Sequence, residues 1–125
     1  MLKKYILSIT ILYSIGIALV SLIRIGDVPD YVPSFTDKVF HFLVYAVLTL
    51  FWYLTFIFKF KRKKSGSIIY AALISIVFGT IIEVLQSILT ETRITDMNDL
   101  FANVSGVILT VGILILKNNL EVKKL

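Results

Sequence analysis

The chain has 125 residues, of which 58% are hydrophobic and 17% charged, with a net charge of +5. The apolar share is well above and the charged share well below those of soluble domains, and so small a domain cannot hide that much apolar surface from water. A soluble domain is therefore excluded, and the absence of cysteine excludes disulfides, thiolate catalysis and cysteine-ligated zinc or iron–sulfur sites.

Four long apolar runs follow in order. The first, about residues 5–23, is uncharged and preceded by Lys3 and Lys4. Its basic start resembles a signal peptide, but the run exceeds the usual ~7–15 residues and no A-x-A site follows, so an uncleaved helix is expected. The connection from Arg24 to Thr36 contains Pro29 and Pro33, which disfavour helix, and is expected to be extended. The second run, about 40–58, carries no charge except on its single histidine, His41. A basic segment, Lys59, Lys61, Arg62, Lys63 and Lys64, leads to the third run, about 67–89, which is interrupted only near its end by Glu83. A short polar connection, Thr90 to Asn98, precedes the fourth run, about 100–116, which holds Asn103. Each run has the ~17–25 residues a bilayer core requires and none alternates with period two, so these are helices and not barrel strands. The predicted fold is an all-α, integral membrane four-helix bundle forming a single domain over residues 1–125.

Basic residues set the direction. Lys3, Lys4, the five of the basic segment, Lys117, Lys123 and Lys124 make ten of the thirteen, all on one side of the four-span topology. The positive-inside rule makes that side cytoplasmic, and the basic segment is an orientation signal held by anionic lipid, with no nucleic-acid partner expected. Both termini are then cytoplasmic in a multi-pass protein. The cysteine-free chain allows a direct check: single cysteines replacing Ser34 and Leu125 are expected to label from opposite sides. Labelling from the same side would exclude four spans.

Polar residues interrupt the spans in register. Asp37, His41, Tyr45 and Thr49 form an i+4 row on span two; Ser75, Gly79, Glu83, Gln86 and Thr90 form a stripe on span three; Asp96, Asp99, Asn103, Gly106 and Thr110 form one on span four. Span one offers Thr10, Ser14 and Ser21, and the inner halves of the spans read as almost purely apolar. Counting from Ser67, Glu83 lies ~24 Å up its helix, below the outer surface of a ~30 Å core. Because span three runs opposite to spans two and four, His41, Glu83, Gln86, Asp99 and Asn103 are expected at one depth in the outer leaflet. Plain structural roles suit several of these residues. Gly79 with Ser75 and Gly106 with Ser105 suit close packing; Tyr45, Trp52 and Tyr53 suit packing or interfacial anchoring; Asp96 suits a helix cap, a role Asp99 can share. Glu83 is different, because an acid within a membrane helix costs several kcal/mol and points to function by default.

These residues carry a family resemblance. Asp37-Lys38-Val39-Phe40-His41-Phe42-Leu43-Val44-Tyr45 resembles the D-K-x-x-H-F-x-x-Y pattern of VanZ-like membrane proteins. Gly79-x-x-x-Glu83-x-x-Gln86 is similar to that family's G-x-x-x-E-x-x-Q, and Arg93, Asp99, Asn103 and Gly106 to its R…D-x-x-x-N-x-x-G. The resemblance implies a bacterial cell-envelope protein of the cytoplasmic membrane, some relatives of which confer resistance to lipoglycopeptides such as teicoplanin. It implies no agreed reaction.

Three functions compete at this stage. The first is an outward-facing pocket for the headgroup of a membrane lipid or lipid-linked cell-wall precursor, lined by Asp37, Lys38, His41, Tyr45, Glu83, Gln86, Arg93, Asp99 and Asn103. There Arg93 and Lys38 would meet phosphate or carboxylate, and Asn103, Gln86 and His41 would supply hydrogen bonds. The second is a membrane enzyme on a lipid-linked substrate, with His41 as acid or base, Asp37 orienting it and Glu83 as a second proton-transfer group. In a variant of it, His41, Glu83 and Asp99 hold a divalent metal. The third is a small transporter, which ranks last because Glu83 sits off the midplane where such sites lie. No G-x-S-x-G, H-E-x-x-H or P-loop is present, and the sequence specifies neither a cofactor nor an oligomeric state.

Overall fold

The computed structural model describes residues 2–23, 34–89 and 97–123. They form four helices, α1 (Leu2–Ile23), α2 (Ser34–Phe58), α3 (Lys64–Leu89) and α4 (Met97–Lys123), with no strand among the described residues. Each contains a stretch long and apolar enough to cross a bilayer: Lys4–Ser21, Lys38–Phe58, Lys64–Leu85 and Leu100–Leu120. The fold is thus the membrane four-helix bundle expected from the sequence. Helix and span do not coincide, since α2 begins at Ser34 rather than Phe40 and α4 runs to Lys123 rather than Leu116. Hydropathy marks the hydrocarbon layer, whereas a helix that satisfies its own backbone can continue into the polar boundary.

Helix α2 is the hub. It packs against α1, α3 and α4; α1 also meets α3, but α1 and α4 make no contact among the described residues. The surface is apolar, with Leu12, Ile69, Val77, Ile88, Phe101 and Ile108 all more than half exposed. The interior is studded with hydroxyls: Thr10, Ser14, Thr49, Thr55, Ser67, Ser75 and Thr110 are buried beside Leu48, Ala71 and Val107. Lipid tails are as apolar as leucine, so helices associate through close packing and interhelical hydrogen bonds. The contacts follow that rule. The Thr10 and Thr55 hydroxyls lie 2.8 Å apart, and Thr10 Oγ1 also donates to Phe51 O at 3.2 Å. Tyr13 OH donates to Val44 O at 2.9 Å, fixing α1 on α2, and Thr110 Oγ1 donates to Ala46 O at 2.8 Å, fixing α4 on α2.

This corrects one expectation. The part of the bundle near the basic loop is not purely apolar, because Thr10, Thr55 and Ser67 are buried there. Hydroxyls are short enough to bond within or between helices without opening a cavity, so the apolar count overlooks them.

The basic loop closes the α2 end tightly. Arg62 N donates to Phe56 O at 3.0 Å, with Lys61 in the left-handed region at φ 56°. Arg62 then lies over the Tyr70 ring, 4.9 Å from its centroid, tying the loop to α3.

Candidate functional site

The site is built outward from a glycine. Gly79 on α3 lies so close to α2 and α4 that a Cβ there would sit 2.9 Å from Tyr45 Cε1 and 3.1 Å from Asn103 Nδ2. That contact sets three helices to one level. One turn farther from the basic loop, ~6 Å along each axis, stand His41 on α2 and Glu83 on α3. Because α2 and α3 run in opposite directions, an i−4 step on one and an i+4 step on the other reach the same depth.

Asn103 joins the levels. The His41 Nδ1–H donates to Asn103 Oδ1 at 3.1 Å. The same amide has its Nδ2 buried with no hydrogen-bond partner among the described residues, as does Ser75 Oγ one turn below Gly79. Glu83 is 2% exposed, Tyr45 2% and Asn103 3%. The Tyr45 ring meets Gly79, one turn from Glu83, and packs in one cluster with Tyr13, so Tyr45 joins this part of the bundle to α1. Lys38, partly buried, stands close to a turn before His41 on α2.

A second glycine sets the spacing of α2 and α4. A Cβ on Gly106 would collide with Phe42 O and lie 3.0 Å from Ala46 N, so the two backbones touch there. The contact stands one turn from Asn103 and holds its amide level with His41. Gly79 and Gly106 therefore have the packing roles the sequence suggested, and those roles position the polar groups. The buried Tyr45 is likewise a packing residue and a wall of the site at once.

Of the expected site residues, His41, Tyr45, Glu83 and Asn103 come together, with Lys38 adjacent. Arg93, and the side chains of Asp37, Gln86 and Asp99, lie outside the described residues. Among the described residues no group of three or more His, Cys, Asp or Glu side chains is placed to hold a metal; the third metal candidate, Asp99, is outside that set. Sequence reasoning passed over Tyr13, which sits in the apolar run of span one. Its signal was available: Thr10, Tyr13 and Ser14 form a short polar face at helical spacing.

A bundle whose outer surface is apolar, and which buries a carboxylate and an amide beside a half-buried imidazole, defines a multi-pass membrane protein with an intramembrane polar cluster. A family model described as VanZ/LLP1 matches residues 7–118, and the chain belongs to that family. Comparison with curated proteins and with solved structures gives no match.

Proposed function

We propose that this is a bacterial cell-envelope protein of the cytoplasmic membrane, with both termini in the cytoplasm, whose polar cluster binds the headgroup of a lipid or lipid-linked cell-wall precursor. One observation carries the proposal: the Asn103 amide, 3% exposed, bonds His41 through its oxygen and lies against Gly79, one turn from the buried Glu83, while its nitrogen donates to nothing described. A buried donor of this kind suits a ligand oxygen, which would be held strongly in a low dielectric. Lys38 and Arg93 add the positive charge for a phosphate or carboxylate. The positive-inside rule puts the cluster toward the external leaflet, where cell-wall precursors and lipoglycopeptides such as teicoplanin meet, so family members linked to resistance would act at that surface.

An enzyme is the second interpretation, favoured by the orientation of His41. His41, oriented by its bond to Asn103, would serve as acid or base on a lipid-linked substrate, with Glu83 as a second proton-transfer group. A transporter fits less well, since the cluster stands toward one end of the bundle and Thr10 and Thr55, nearer the basic loop, bond to helix backbone and to each other.

Phe40, beside His41 and 45% exposed, gives the test. A benzophenone amino acid in its place is expected to crosslink lipids with anionic or cell-wall-precursor headgroups well above their share of the membrane. Captured lipid that matches the bulk composition would overturn headgroup binding.

A further inference from the structure

A cavity of about 270 Å³ lies between α1 and α2, walled by Tyr13, Gly16, Ile17, Phe40, Val44 and Tyr45, with Val20 and Ser21 toward the end away from the basic loop. We infer that it holds one hydrocarbon chain of the lipid whose headgroup the polar cluster engages, an inference that rests on the proposed headgroup site.

Four observations converge. The walls are apolar, and the hydroxyl of Tyr13 is already committed to Val44 O at 2.9 Å. The shape suits a chain: from Tyr13 to Ser21 the cavity runs ~12 Å along α1 and is walled by two helices only. An apolar cavity of ~150 Å³ suffices for a benzene ring, so this one takes a run of methylenes. Tyr45 belongs to both places, since its ring walls the cavity and touches Gly79, one turn from Glu83. Phe40, on the cavity wall, is followed directly by His41. A lipid can therefore lay its chain against α1 with its polar end toward His41, at the edge of the polar cluster.

Gly16 makes the inference testable, because a Cβ added there meets nothing within 4 Å and any larger side chain grows into the cavity. Gly112, equally open but on the exposed side of α4, is the control. The full chain, purified in detergent, is offered dioleoylphosphatidylglycerol, and retained lipid is read by native mass spectrometry. Wild type and Gly112→Phe are expected to retain the lipid alike, with Gly16→Phe retaining roughly tenfold less. Val20→Phe, which closes the cavity from its other end, is expected to act as Gly16→Phe does and covers the case in which the latter misfolds. Glycerophosphoglycerol, the same headgroup without chains, is expected to compete poorly. The chain site is overturned if wild type retains no lipid, if a folded filled variant retains as much as wild type, or if the chain-free headgroup competes equally. It is also overturned if Gly16→Phe splits a dimer and leaves lipid retention unchanged. Glu83→Gln separates the two ideas. Retention that survives Glu83→Gln but not Gly16→Phe keeps the chain site and removes the headgroup site; the reverse keeps the headgroup site alone.

Discussion

Gly106→Ala is expected to leave little folded protein in the membrane, although it adds only one methyl group. The new Cβ would meet the Phe42 carbonyl oxygen and, at 3.0 Å, the Ala46 nitrogen. Both are helix backbone and cannot swing aside as a side-chain tip would, so α2 and α4 must separate. Separation breaks the 2.8 Å bond from Thr110 to Ala46 O and the 3.1 Å bond from His41 to Asn103. In lipid no hydrophobic force restores the contact, because the exposed surfaces are as well solvated apart as together. The cost is about 3 kcal/mol, at the upper end for overpacking, against a total stability of ~5–15 kcal/mol. Two controls bracket it. Gly112→Ala meets nothing within 4 Å and is expected to be neutral or slightly stabilising, since alanine is the better helix former. Gly79→Ala presses on the Tyr45 ring and the Asn103 amide, which are side chains, so the protein should accumulate while the polar cluster shifts. Yield of monodisperse protein and its melting temperature in detergent check the order. Gly106→Ala melting with wild type would show that α2 and α4 do not touch there.

Glu83→Gln is expected to abolish function while protein still accumulates. Glutamine keeps the size and hydrogen-bonding capacity of glutamate and removes its charge, so the change tests charge with little cost in packing. A carboxylate 2% exposed within an apolar helix costs on the order of 3 kcal/mol, so removing its charge is expected to spare folding unless it holds a buried partner cation. Arg93 or Lys38 is the cation expected from the sequence to act with it, and Arg93 is the better candidate because a planar guanidinium can hold a carboxylate and a ligand anion together. Arg93→Ala should therefore match Glu83→Gln, and the double variant should be little worse than either. The measurements are lipid capture at position 40 and survival of lipoglycopeptide challenge in cells carrying the chain. Wild-type behaviour in Glu83→Gln would reduce Glu83 to a structural group, and fully additive losses would show that the two residues act separately.

The sequence by itself determined the four spans, their alternating direction and the depth of the polar residues. Each of these follows from quantities local to the chain: the length of an uncharged run against bilayer thickness, and 1.5 Å of rise per residue. Opposite helix directions then suffice to put His41, Glu83 and Asn103 at one level. Rotation and contact are not local, and only the tertiary structure decided them. That His41 donates to Asn103, that Gly79 faces Tyr45, and that Gly106 lies on the Phe42 carbonyl depend on how helices distant in sequence pack. The role of α1 was the least legible. Tyr13 reads as one more large residue in an apolar run, and its hydroxyl matters only because Val44 O is opposite it on α2. The cavity beside it is bordered by Gly16, which has no side chain to fill it, and an unfilled volume between helices has no signature along either one. In a bilayer, where lipid offers every apolar face an equal alternative, such contacts are selected by shape and hydrogen bonding and not by hydropathy.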